Sequence, residues 1–137
     1  MSCMFSAGGD DFDVEAFLQR FAITPHDRWQ RGTERRPGKH YEFSGFSFVA
    51  SDADMNAFEQ QVADTIAFIG THSSWLEAIT SYPGVEYAAF DFGIDMPGGA
   101  IPMVRFPPAL VSAAGAFGLW LEASLYYTSG PTEEIRS

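Results

Sequence analysis

The sequence predicts an α+β fold: a two-layer sandwich with a mixed, mostly antiparallel sheet and about three helices packed on one face, in the order β-α-β-β-α-β-β-α-β. Three observations carry this. Apolar and mixed residues alternate with period 2 over Val85–Asp95 and Leu119–Tyr127, the mark of half-buried strands. Apolar residues recur at steps of three and four from Val14 to Phe21 and from Met55 to Ile69, the mark of amphipathic helices. The 13 Phe in an apolar content of 46% imply a core built on rings.

The elements follow in order. Residues 3–7 read as a first strand closed by Gly8-Gly9. Asp13 suits an N-cap, because its carboxylate accepts a free first-turn N–H, and Val14, Phe17, Leu18 and Phe21 line the helix it starts. Pro25 disfavours helix at Thr24, so this helix ends near Ala22. A short strand is expected around Arg28–Gln30, then a loop, then a strand over Tyr41–Ala50 with Phe46 and Phe48 on one face and Tyr41, Phe43 and Val49 on the other. Ser51 or Asp52 would cap the second helix, with Met55, Phe58, Val62, Ile66 and Ile69 as its stripe and Gly70 as its stop. Ser73–Ile79 would add a short turn carrying Trp75, and Tyr82-Pro83-Gly84 a tight turn. After the strand Val85–Asp95 and the turn Met96–Gly99, Ala100–Phe106 reads as a partner strand weakened by Pro102. Pro108 opens a third helix striped by Leu110, Ala113, Ala114 and Phe117, and Gly118 ends it. The last strand is Leu119–Tyr127. The core is expected to include Phe58, Ile66, Phe90, Phe92, Leu121 and Leu125.

At 137 residues the chain reads as a single α+β domain over 1–128, followed by a polar C-terminal tail over 129–137. Cys3 is the only cysteine, which excludes an intramolecular disulfide and fits a reducing compartment. The N-terminus has neither the basic start nor the apolar run of a signal peptide, and the longest uncharged stretch, Phe106–Leu121, is shorter than the ~20 residues of a membrane span. A soluble, cytoplasmic protein is expected. The net charge of −10 disfavours nucleic acid as a partner.

Charge is nevertheless uneven. Of eight basic residues, five (Arg28, Arg31, Arg35, Arg36 and Lys39) fall between His26 and His40, interleaved with Trp29. Converging, they would hold a phosphate or carboxylate through charge-assisted bonds, with Trp29 as a stacking platform. The plainer reading is a solvated loop whose cations pair with Asp27, Glu34 and Glu42. A phosphate loop fails on spacing, since five residues separate Gly32 from Gly38 and His40 replaces Ser/Thr after Lys39. His26, His40 and His72 lack metal-ligand spacing, and Cys3 has no neighbouring base, so no metal, no cofactor and no catalytic residue is expected. A second surface is the mixed sheet face, predicted to carry Tyr41, Phe43, Tyr87, Asp91, Trp120, Glu122 and Tyr126, with all but Phe43 as candidate interaction residues. It is too aromatic for an ordinary solvated face and suggests cover by a protein partner or a second copy. Asp91 and Glu122 there could also form a carboxylate pair for acid–base work.

Gly9-Asp10-Asp11-Phe12-Asp13 before the first helix, Ile23-Thr24-Pro25 followed by Trp29 and Gly32, and the ending Leu121–Tyr126 resemble the bacterial family catalogued as domain of unknown function 4279. The likeness spans Phe5 to Tyr127, with Phe46 where a Trp and Ser124 where an Asp would be expected. It implies an α+β fold and roles such as toxin immunity, with no established activity. The expected function is a non-enzymatic protein-binding module, immunity-like or regulatory. The alternative is a small anionic-ligand-binding domain or an enzyme using segment 26–40.

Overall fold

The computed structural model describes residues 1–99 and 101–127 of the chain. Five strands form the main sheet. β1 (Cys3–Gly9) is central; β5 (Ser44–Ser51) and β6 (Tyr87–Met96) flank it, β2 (Asp27–Trp29) lies outside β5, and β7 (Trp120–Tyr127) lies outside β6. The pairings β2·β5, β5·β1 and β1·β6 are antiparallel; β6·β7 is parallel, joined through helix α4 (Pro108–Ala116). A two-stranded hairpin, β3 (Glu34–Arg36) and β4 (Lys39–His40), stands apart from this sheet. With α1 (Val14–Phe21), α2 (Phe58–Thr71) and α3 (Ser73–Ile79), the helices number four among the described residues. Ser73–Ile79 is thus a helix of its own, the fourth against the three expected.

Most local signals act as expected. Asp13 accepts the Ala16 N–H at 3.1 Å and caps α1, which ends at Ala22 in a left-handed turn. Three differ. The sequence predicts a strand over Ala100–Phe106, yet residues 101–107 form none: Pro102 lacks a donor for a ladder, and the segment instead brings Phe106 against Phe58 and Phe92 at 6.0 and 5.5 Å. The second helix starts after Ala57 without a side-chain cap, six residues beyond Ser51, whose hydroxyl is engaged with Asp64 and the Ala53 N–H. It also runs through Gly70 to Thr71. The predicted tail, 129–137, lies outside the described residues.

The core fills the space between the helices and one sheet face, and it is a web of rings. Phe5, on the central strand, meets Trp75 at 5.3 Å, Phe90 at 5.2 Å, Phe46 at 6.1 Å and Phe68 at 6.3 Å. Aromatic pairs at such spacing add to plain area burial. Phe90 and Phe92 are fully buried as expected, whereas Phe58, Ile66, Leu121 and Leu125 pack on the core while remaining partly exposed. The buried side of α2 is centred on Gln61, Thr65 and Phe68, rotated from the expected stripe. The donors of the two polar residues there find partners: Gln61 donates to the Gly93 carbonyl at 2.8 Å, and the Thr65 hydroxyl lies 3.4 Å from the Cys3 sulfur, while the Gln61 Oε1 is buried without a partner among the described residues. Burial pushes the Cys3 thiol up to about 12, so it is an inert packing group. The indole N–H of Trp75 donates to His72 Nδ1 at 3.0 Å, and burial lowers the pKa of that imidazole.

Phe90 tests this packing. Phe90→Ala should cost ~3–5 kcal/mol, from a total of ~5–15 kcal/mol, and lower Tm by on the order of 10 °C or more. A calorimetric Tm within error of the wild type would contradict the placement of Phe90.

Candidate functional site

The sheet face away from the helices carries a band of aromatic side chains at its β2 end. Its position follows from strand register. Trp29 pairs with Gly45, Gly45 with Gly8, and Gly8 with Tyr87, so one row across four strands reads aromatic, glycine, glycine, aromatic. The two missing side chains leave a trough, and rings occupy it. A Cβ on Gly8 would meet the Ser44 carbonyl oxygen at 2.8 Å and the Phe43 ring at 2.9 Å, and a Cβ on Gly45 would meet the Ala7 carbonyl oxygen at 2.5 Å and the Trp29 indole at 2.7 Å. Phe43 therefore sits edge-on between Trp29 (6.0 Å, 80°) and Tyr87 (5.6 Å, 81°). Burial, then the nearby Glu122 carboxylate, pushes the Tyr87 hydroxyl up to about 12.

The hairpin builds outward from this band. Tyr41 stacks on Trp29 at 5.9 Å and 21°, and the Arg35 guanidinium lies 5.4 Å above the Tyr41 ring. Backbone bonds from Gly32 N–H to the Tyr41 carbonyl (2.8 Å) and from Tyr41 N–H to the Thr33 carbonyl (3.0 Å) fix the hairpin base. Its tip, Arg36-Pro37-Gly38-Lys39, places proline and a positive-φ glycine at the positions a type II turn requires. Between hairpin and sheet lies an open groove of about 540 Å³, lined by Asp27, Trp29, Arg35, Arg36, Lys39, His40, Tyr41, Glu42 and Phe43.

Trp29, Arg35, Arg36 and Lys39 thus line one groove, joined by Tyr41. Arg28 and Arg31 do not. Side chains of successive strand residues point to opposite faces, so Arg28 turns towards the helices and forms an ion pair with Glu15 at 2.9 Å. Arg31 does not line the groove; its backbone N–H bonds the Ser44 hydroxyl at 2.9 Å. The expected pairing of loop cations with Asp27, Glu34 and Glu42 is also not seen. Among the described residues, no carboxylate lies within 4.0 Å of Arg31, Arg35, Arg36 or Lys39. His40, Glu42 and Phe43 join the groove although sequence reasoning did not place them there. The Pro37-Gly38 turn signal was the clue, since it folds the segment back on itself.

The other predicted surface residues lie towards the opposite edge. Asp91 and Glu122 are neighbours across β6 and β7, and the Ser124 hydroxyl donates to both Asp91 carboxylate oxygens at 2.8 and 3.0 Å. An aspartate at 124 would set two carboxylates against each other; serine makes the position a donor. Trp120 and Tyr126 remain uncovered, at 69% and 51% exposure. Among the described residues no group of three or more His, Cys, Asp or Glu is placed to hold a metal ion.

The glycine trough gives a direct test. Gly45→Ala should press its Cβ against both the Ala7 carbonyl oxygen and the Trp29 indole, displacing Trp29 and costing ~1–3 kcal/mol by overpacking. Gly70→Ala, at an open helical site with nothing within 4 Å of the added carbon, should gain ~0.5–1 kcal/mol. Urea denaturation showing equal stabilities for the two variants would contradict the close approach at Gly45.

Searches of curated proteins and of solved structures return no match. One family matches, and it spans the whole fold just described, from the first strand to the last: residues 1–128 carry the family described as Domain of unknown function (DUF4279). The chain belongs to that family.

Proposed function

We propose that the protein is a non-enzymatic binding module, immunity-like or regulatory, that receives an acidic segment of a partner protein in the groove under the β3–β4 hairpin. One observation carries this reading: Arg35, Arg36 and Lys39 border a stacked Trp29–Tyr41 platform and have no carboxylate partner within 4.0 Å among the described residues. Cations left uncompensated beside rings, in a protein of net charge −10, form a local site for carboxylates. Rings held by packing lose little entropy on binding, which suits them as anchors. The groove is open and also carries Asp27 and Glu42, a mixed lining that fits an extended peptide with several side chains better than one compact anion. The second reading, a small anionic ligand, rests on the same cations grouped about one turn.

A glutamate-rich decapeptide and inorganic phosphate separate the two in calorimetric titrations. The peptide should bind, more weakly as salt rises, and Arg36→Ala and Lys39→Ala should each weaken it by up to ~1 kcal/mol, about fivefold. Phosphate binding without peptide binding would favour the small-ligand reading. Heat from neither would remove the groove as an anion site.

A further inference from the structure

The edge of the sheet farthest from the groove is β7, and no strand pairs with its outer side among the described residues. Exposed strand edges invite pairing, and proteins usually blunt them with proline, lysine or short length. β7 has none of these: it is eight residues long, contains no proline, and carries one formal charge, Glu122. Trp120, Tyr126 and Tyr127 are exposed along it.

The side chains of β7 are arranged symmetrically about Ala123. Trp120 and Tyr126 are aromatic, Leu121 and Leu125 identical, and Glu122 and Ser124 polar. Register with β6 puts Trp120, Glu122, Ser124 and Tyr126 on the open face, and Leu121, Ala123 and Leu125 on the helix side. In antiparallel pairing, directly opposed residues share a face. Two copies of β7 crossing at Ala123 would set Trp120 against Tyr126, Leu121 against Leu125, Glu122 against Ser124, and Ala123 against itself. Crossing one pair earlier, at Glu122, would oppose two carboxylates; crossing at Ser124 would set Glu122 against Tyr126 in place of ring against ring. Only the crossing at Ala123 matches ring with ring while keeping the charges from direct opposition.

We infer that the outer edge of β7 is a self-association surface, where a second copy of the chain pairs antiparallel about a two-fold axis at Ala123 and joins the two five-stranded sheets into one. This interface is independent of the groove, which lies at the β2 end of the sheet.

Cysteine cross-linking on the full chain tests both the surface and its register. Cα atoms of an antiparallel pair lie ~4.5–5.5 Å apart, within the ~4.4–6.8 Å a disulfide spans. Ala123→Cys, oxidised with diamide, should run as a covalent dimer on a non-reducing gel. Tyr127→Cys should stay monomeric there, because the two thiols would be on the order of 25 Å apart in this register. The native Cys3 is 0% exposed and should not contribute. Light scattering should show twice the 15.1 kDa chain mass. Trp120→Lys should dissociate the dimer, and Trp120→Lys with Tyr126→Glu should restore it by opposing opposite charges. A monomer at all concentrations, a dimer that the Ala123→Cys variant fails to cross-link, or equal cross-linking by the Tyr127→Cys variant would each overturn the inference.

Discussion

The candidate site depends on two absent side chains. Gly8 and Gly45 face each other across β1 and β5, and no other pair of residues would let Phe43 and Trp29 lie against the backbone there. Everything outward of that contact is stacked on it in sequence: Tyr41 on Trp29, Arg35 on Tyr41, and the hairpin that carries Arg36 and Lys39. A groove assembled in this way owes its position to sheet register. A strand register fixed by a buried face is hard to shift, since a one-residue slip would turn Phe46 outward and Gly45 into the core.

The opposite face explains why the register holds. Phe5, Phe46, Phe68, Trp75 and Phe90 interlock edge to face and in offset stacks. Rings of this kind fill volume with few rotamers, so the core tolerates little rearrangement. The sheet is therefore loaded with aromatics on both sides, for different ends. On the helix side they exclude water; on the other they stand between a rigid floor and a cationic rim.

Period-2 alternation made the strand faces legible: the partition of β6 into Ala88, Phe90, Phe92 and Ile94 against Tyr87, Ala89 and Asp91 follows from the sequence alone. The phase of α2 was not legible, because Gln61 and Thr65 are polar by type yet buried by partners 32 and 62 residues away. The β3–β4 hairpin escaped because its strands have three and two residues, all exposed, and leave no apolar pattern. At the site the cations were visible as a cluster, but the sorting of Arg28 from Trp29 required knowing that both lie on one strand. The glycine trough was invisible for a related reason: Gly8 and Gly45 become neighbours only once β1 and β5 are paired, and a sequence gives glycine no partner.

Trp29 packed on the sheet is what makes the groove preformed, and its indole N–H reports on that packing. The group is buried and makes no hydrogen bond among the described residues, while that of Trp75 is held by His72 and Trp120 is 69% exposed. Hydrogen exchange of the three indole N–H groups, followed by NMR in the free protein, reads this directly. The Trp29 resonance should be protected well beyond that of Trp120, and Gly45→Ala should remove the protection while sparing Trp75. A Trp29 indole exchanging as fast as that of Trp120 in the wild type would contradict a preformed groove.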